Sequence, residues 1–277
     1  EAQANGVKIV HTCGFDSIPS DMGVYFTQKE ALAQKGFGAK RIRMRVAGMR
    51  GGLSGGTYAS LSKVLEEAMQ DKAIYKVLTN PYGLNPADKQ EGEDRPDLQK
   101  VIFDPTSNSW IGPFIMAGIN TKVVRRSNAL SGYAYGKDFR YDEATMSGKG
   151  FKGRMKGMLS ALPLVLMTAK PGSVLKRIAN RMFPKPGEGP TQDQRENGFY
   201  SLRFYATLED GSTALGKVTG DKDPGYGSTS KMLGEAAVCL AKDSLPEISG
   251  VLTPSIAMGD ALLDRLEKHA GLTFRFK

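Results

Sequence analysis

The sequence predicts an α/β fold that passes into an α+β one, on three observations. A short apolar run at residues 7–12 is followed by a tight turn and then by helical spacing up to Gln34, the strand–turn–helix order of an open α/β unit. Residues 41–46 alternate strictly, with Ile42, Met44 and Val46 facing one way and Arg41, Arg43 and Arg45 the other, which describes a half-buried strand. Later in the chain, two strand-like runs, "FYSLRFYATL" and "TALGKVTG", flank a turn at Asp210–Gly211 and are followed by helical segments, the order of an α+β layer.

Each element has its own signals. The first helix starts near Ser17, with Asp16 or Ser17 as N-cap and Pro19 in its first turn, where a missing N–H is harmless. Asp21 adds negative charge at the positive end, and "GFGAK" ends the helix. After the alternating strand, "MRGGLSGGTYAS" is a glycine-rich connection and Thr57 to Gln70 has helical spacing. Residues 79–113 are rich in Pro, Asn, Gly and Asp and read mainly as loop. "GPFIMAGINTKVVRRS" is mostly apolar with a basic end, and a helix there would run on into "YAYGKDFRYDE". "GMLSALPLVLMT" at 157–168 is the most apolar stretch; it contains Pro163 and is too short to span a bilayer. In "SVLKRIANRMF", Val174, Leu175, Ile178 and Met182 share one helical face, and Lys176, Arg177 and Arg181 the other. The two strands follow, then a loop "GDKDPGYGST" leading into a helix from about Ser230 to Lys242, a final helix, and a closing strand "LTFRFK".

The chain has 277 residues, with ordinary apolar and charged content for a globular protein that buries a large core. Two distant cysteines make neither a disulfide framework nor a CxxC pair, and two histidines argue against a His-rich metal site. No metal is expected. The opening "EAQANG" has neither a signal-peptide pattern nor an initiator Met, so the chain is expected to begin partway through a longer protein or to be processed. The net charge of +9 is local: no Asp or Glu lies between Glu143 and Glu188, while nine Lys and Arg do. That implies one basic surface. Cations without interleaved aromatics argue against nucleic acid.

The densest motif is "VHTCGFDSIPSDMG". Its turn lies at the carboxyl end of a strand, where open α/β sheets place ligands beside helix amino ends. Gly14 would allow backbone to approach a bound group. Alternatively, Asp16 and Ser17 cap a helix and Cys13 is a small core residue. No GxGxxG is present, so the turn is not itself a dinucleotide fingerprint.

Together with "SGGTYAS", "NTKVVRRSNAL", "YGKDFRYDEA", "PGEGPTQDQRENGFY", "VTGDKDPGYGSTSKMLGEAAVCLA" and "GVLTPSIAMGDALLDRL", this motif resembles the saccharopine dehydrogenase-like oxidoreductases, including the trans-acting enoyl reductases of lipid synthesis. The resemblance runs from near residue 7 to the end. It implies a Rossmann domain with its glycine-rich loop ahead of residue 1, and three parts here. Residues 1–40 would end a nucleotide-binding lobe, 41–245 would form a mixed-sheet α+β domain for substrate and dimerisation, and 246–277 would return as a helix and strand to the first lobe. NAD or NADP would be held by the full-length protein, with this chain alone binding none and inactive alone.

Cys13, Gly14, Phe15 and Asp16 would then lie beside the nicotinamide. Gly55, Gly56 and Thr57 at a helix start, with Arg125, would take an anionic or carbonyl group of a small-molecule, acyl or lipid-like substrate. Asp16, Tyr226 and Lys231 are the candidates for proton donation or orientation. Each of these positions has a structural alternative as cap, turn or solvated cation. The rival to an oxidoreductase is a non-catalytic module docking on an anionic membrane through residues 149–185, and the same basic face could receive an acidic acyl-carrier partner. The expected setting is cytoplasmic, peripheral at a membrane in the rival case, with a homodimer as the candidate assembly.

Overall fold

The computed structural model describes residues 1–52, 54–170 and 172–277; Leu53 in the glycine-rich connection and Pro171 in the basic segment lie outside the described residues. Its centre is a mixed sheet of seven strands among the described residues, ordered β3–β4–β5–β2–β6–β7–β9. The strands are β2 (Ala39–Arg50), β3 (Ile102–Asp104), β4 (Ser109–Gly112), β5 (Arg140–Gly148), β6 (Phe199–Leu208), β7 (Thr213–Gly220) and β9 (Leu272–Phe276). Only the central β2–β5 pair is parallel, with Met44 opposite Glu143; the other ladders are antiparallel. A separate two-stranded parallel sheet joins β1 (Lys8–Val10) to β8 (Gly250–Leu252). The architecture is therefore α/β with a mixed sheet.

Period-two patterning places the core. Ile42, Met44 and Val46 of β2 and Tyr200, Leu202, Phe204, Ala206 and Leu208 of β6 are buried on one sheet face, where apolar area leaves water. Helix α1 (Ile18–Lys35) crosses β6 and β7 there, with α4 (Ala117–Leu130) against β5 and α9 (Pro254–Lys268) against β9. Gly23 makes the α1 crossing possible: a Cβ at this position would sit 2.2 Å from Phe204 Cζ. The other sheet face carries the exposed Arg203 and Lys217. Arg45 departs from the expected solvated row. It is buried and paired with Asp104 at 2.9 Å and Asp142 at 2.6 Å, so its charge is compensated.

One expectation is corrected. The apolar helix of residues 117–130 does not run on: Gly132, Tyr133 and Gly136 turn the chain with positive φ, and residues 140–148 form a strand. Tyr141 and Glu143 both face the covered side of that strand, a period of two. The closing strand pairs with β7 and ends the large sheet. The first residues and the last part of the chain are linked by β1 with β8 and by α1 with α9.

A second, smaller core sits at one side. Tyr58 of α2 (Gly55–Gln70), Leu166 and Met167 of α5 (Gly150–Met167) and Ala179 of α6 (Val174–Met182) meet there, with Phe183 stacked on Tyr58 at 4.8 Å between ring centroids. Helix α8 (Gly227–Lys242) packs on α9 and places Met232, Ala236 and Cys239 in the main core. Two short helices, α3 (Lys72–Thr79) and α7 (Gln192–Glu196), complete the helical set among the described residues.

Candidate functional site

The two cores leave a cleft between them. It has a volume of about 450 Å³ and lies where β2 and β5 run out at their carboxyl ends, represented by Met49 and Thr145. Phe114, Ile115 and Met116, from the loop ahead of α4, form one wall; Leu164 and Met167 of α5, with Phe183, form another. The 13–16 turn contributes Phe15 and Asp16, α2 contributes Thr57 behind Ser54, and the 224–229 loop contributes Tyr226 and Thr229. The cleft is lined mainly by apolar side chains with a few hydroxyl and carboxyl groups among them, the composition of a site for a mostly hydrocarbon ligand with a polar head.

Each wall has a local cause. Phe15 is fixed edge-on against Tyr200, 4.9 Å between centroids, and its N–H donates to Thr229 Oγ1 at 3.0 Å. Thr229 Oγ1 in turn donates to the Pro224 carbonyl at 2.8 Å, so the opening turn and the start of α8 are one unit. The 223–227 loop is held by Asp223, whose buried carboxylate accepts N–H bonds from Gly225, Tyr226 and Gly227. This is a carboxylate cap on the amino end of α8. Ser54 caps α2 by accepting from the Thr57 N–H at 3.1 Å.

The structure brings Phe15, Asp16, Thr57 and Tyr226 together and leaves the other sequence candidates outside the cleft. Asp16 is exposed at the rim, while neighbouring groups displace enough of its water to raise its carboxyl above the usual range. The Tyr226 ring forms part of the wall and its O–H donates to the Glu188 carbonyl at 3.3 Å. Gly14 does not open onto the cleft: a Cβ there would stand 2.9 Å from Thr229 Cγ2, so the residue serves close packing against α8. Cys13 is buried beneath the turn, its thiol pushed up to about 11 chiefly by burial and also by the nearby Asp21 carboxylate. Gly55 packs against the backbone at Lys185, where a Cβ would fall 1.7 Å from the carbonyl oxygen, and Gly56 is exposed.

Arg125, expected as a substrate ligand, lies outside the lining of the cleft. It is buried, pairs with Asp94 at 2.7 Å, and donates to the carbonyls of Pro81 and Tyr141, which makes it a tie between these segments. Lys231 is paired with Asp221 at 3.2 Å and lines a separate open depression with Arg195 and Lys222, on the far side of Tyr226. The polar half of the opening motif is also structural. Ser17 Oγ donates to Asn120 Oδ1, and Asn120 Nδ2 donates to Ser20 Oγ and to Glu143 Oε2. Asp21 accepts from Ser127 Oγ and from the Ser255 N–H. "DSIPSD" thus knits α1 to α4, β5 and α9, while its first residue alone reaches the cleft.

Sequence reasoning missed most of the apolar lining. Phe114 to Met116 and residues 160–167 were visible only as apolar runs, and nothing in such a run tells a cavity wall from a core.

The chain is 40% identical over 287 residues to "Putative trans-acting enoyl reductase Rv2449c" of Mycobacterium tuberculosis, an alignment covering 96% of this chain and 66% of that protein. Proteins named trans-acting enoyl reductase match at 36% identity in Mycobacterium ulcerans and at 34% in Mycobacterium bovis, with the same coverages. The chain thus spans just under two thirds of the length of these relatives. No protein-family model and no solved structure matches it.

Proposed function

The chain is a homologue, over nearly its whole length, of proteins named trans-acting enoyl reductase, and from that premise we propose that it forms the acyl-binding part of a saccharopine dehydrogenase-like, NAD(P)-dependent enoyl reductase. The observation that supports this reading is the cleft itself. Its walls at Ile115, Met116, Leu164 and Met167 suit a hydrocarbon chain, and Thr57, Thr145, Tyr226 and Asp16 gather at places a thioester head could reach.

Reduction of an enoyl thioester adds a hydride at one alkene carbon and a proton at the other. The second half is the one these residues can serve. Tyr226 stands on the wall with its O–H in a long bond to the Glu188 carbonyl, and Asp16 is a rim carboxyl raised above its ordinary range by desolvation; either is a candidate for the proton. A dinucleotide is not matched by this chain in the same way. At the amino end of α8 the N–H groups of Gly225, Tyr226 and Gly227 are already taken by the Asp223 carboxylate, and the bend at Gly14 is packed against Thr229. On this reading the phosphate-holding groups belong to a longer protein.

The test has two parts. A fluorescent long-chain acyl probe should bind this chain, and Leu164→Trp, which fills the cleft, should weaken binding at least tenfold; unchanged binding would remove the acyl reading. In a full-length protein with reduced nicotinamide, Tyr226→Phe should lower turnover by about a hundredfold with little change in KM, the scale of a lost general acid. A changed KM with intact turnover would make Tyr226 a positioning residue only.

A further inference from the structure

Helix α5 is built inside out. Gly153, Gly157, Ser160, Leu164 and Met167 recur at helical spacing and face the protein, the glycines meeting the backbone of Gly148 and the side chain of Ser147. The opposite stripe, Phe151, Met155, Met158, Leu162 and Val165, repeats at the same spacing and is exposed, Phe151 to 75%, and Leu159 beside it is exposed too. Helix α6 does the same. Lys176 and Ala179 are buried, Lys176 donating to Ser62 Oγ at 2.8 Å and lying over the Tyr58 ring, while Val174, Leu175, Ile178 and Met182 are exposed. Lys176 thus departs from the expected solvated basic face, and the apolar face of this helix is the outer one.

Two adjacent helices, joined by a short connection, thus present their apolar stripes to solvent. Exposed apolar stripes on two packed helices mark an interaction site. Its charge surroundings say with what. Of the nine Lys and Arg between Glu143 and Glu188, all but Lys176 are exposed, and no acidic residue lies among them. Lys152 and Arg154 flank the α5 stripe on its two sides, and Arg177 and Arg181 stand on α6. A second copy of this chain would set these cations against their own image, which costs energy at close range. A surface that is anionic outside and apolar beneath accepts both features at once. No helix among the described residues is long and apolar enough to cross a membrane, which leaves the geometry of a pair lying in the interface.

We propose that the α5–α6 face docks on an anionic lipid surface, with the outward stripes entering the acyl boundary and the flanking cations at headgroup level. The proposal goes beyond the acyl-binding reading and does not need it. Helix α5 is nonetheless the wall between this face and the cleft, since Leu164 and Met167 line the one and Leu162 and Val165 the other.

The experiment is sedimentation of this chain with phosphatidylcholine vesicles, with and without phosphatidylglycerol, over a range of salt. The wild type should pellet with the anionic vesicles and be released by salt. Emission from Trp110, the one tryptophan of the sequence, stacked under Arg154 at 5.4 Å, should change on binding. Each cation near such a surface is worth about fivefold in binding, so Arg177→Glu with Arg181→Glu should weaken it by more than about twenty-fivefold. Leu159→Ser with Leu162→Ser should reduce binding on a chain whose circular dichroism is unchanged. Any of these results would overturn the proposal: wild type left in the supernatant, binding equal on neutral and anionic vesicles, binding untouched by both double variants, or self-association that Leu159→Ser with Leu162→Ser abolishes while vesicles are ignored. Capture by an acidic acyl-carrier protein with no vesicle binding would overturn it in favour of that partner.

Discussion

Glu143 shows how a single residue carries a pH signature. It is fully buried, accepts from Tyr141 O–H at 2.7 Å and Asn120 Nδ2 at 3.0 Å, and burial pushes its carboxyl up to about 7 despite these donors. A carboxyl held higher in the folded chain than in the unfolded one favours the fold only while protonated. The contribution is intact below the unfolded value near 4.5 and is lost as pH rises to about 7. Asp21, raised to about 6 by the same burial, acts in the same direction. Unfolding free energy should therefore fall by roughly 3 kcal/mol for Glu143 across that window, and Glu143→Gln should flatten the slope in denaturant melts at pH 5 and pH 7. An unchanged slope would mean the network holds the charge without cost. Residue chemistry of this kind was half legible. Ser17, Ser20 and Asp21 were visible as a polar cluster at a helix start, yet only the packing of α1 on α4 and α9 shows that they face inward. Arg125 misled for the same reason, because its partner Asp94 lies in a loop with no periodic signal.

At the scale of elements, pattern decided most of what could be read. The alternation in β2, the hairpin of β6 and β7, and the helices at 18–35, 55–70 and 227–242 followed from period and turn residues. The strand at 140–148 was hidden behind an apolar helix, and β8 is too short for a pattern to separate it from a turn, whereas β1 was legible from the apolar run at 7–12. Which face of α5 or α6 points inward was not legible, since both carry a full apolar stripe and the smaller residues won the interior. Close approach through small residues recurs at Gly23 under Phe204. Gly23→Ala should therefore cost about 1–3 kcal/mol by overpacking, although alanine is the better helix former. A melting temperature equal to or above the wild type would show that α1 can lift off the sheet without penalty.

For the whole molecule, the sheet ties distant parts of the chain into one body. Met44 of β2 meets Glu143 on one side and Phe204 on the other, while β9 closes the far edge against β7. The cleft exists because this sheet and the small core around Tyr58 approach without merging, so its position depends on seven separate stretches of sequence. A linear reading could name the turn at 13–16 and the loop at 224–229 but could not bring them to the same place. The bond from Phe15 N–H to Thr229 Oγ1 does that across 214 residues.

The burial of both native thiols has a practical consequence. Cys13 is pushed up to about 11 and Cys239 to about 12, and both are enclosed, so neither offers thiolate to a reagent at neutral pH. Maleimide should add no mass to the native chain in an intact-mass spectrum, and two adducts after denaturation. A cysteine introduced at Phe151 or Leu159 would then be the sole point of attachment for a spin label or dye, and depth could be read without first stripping the molecule of its own sulfur.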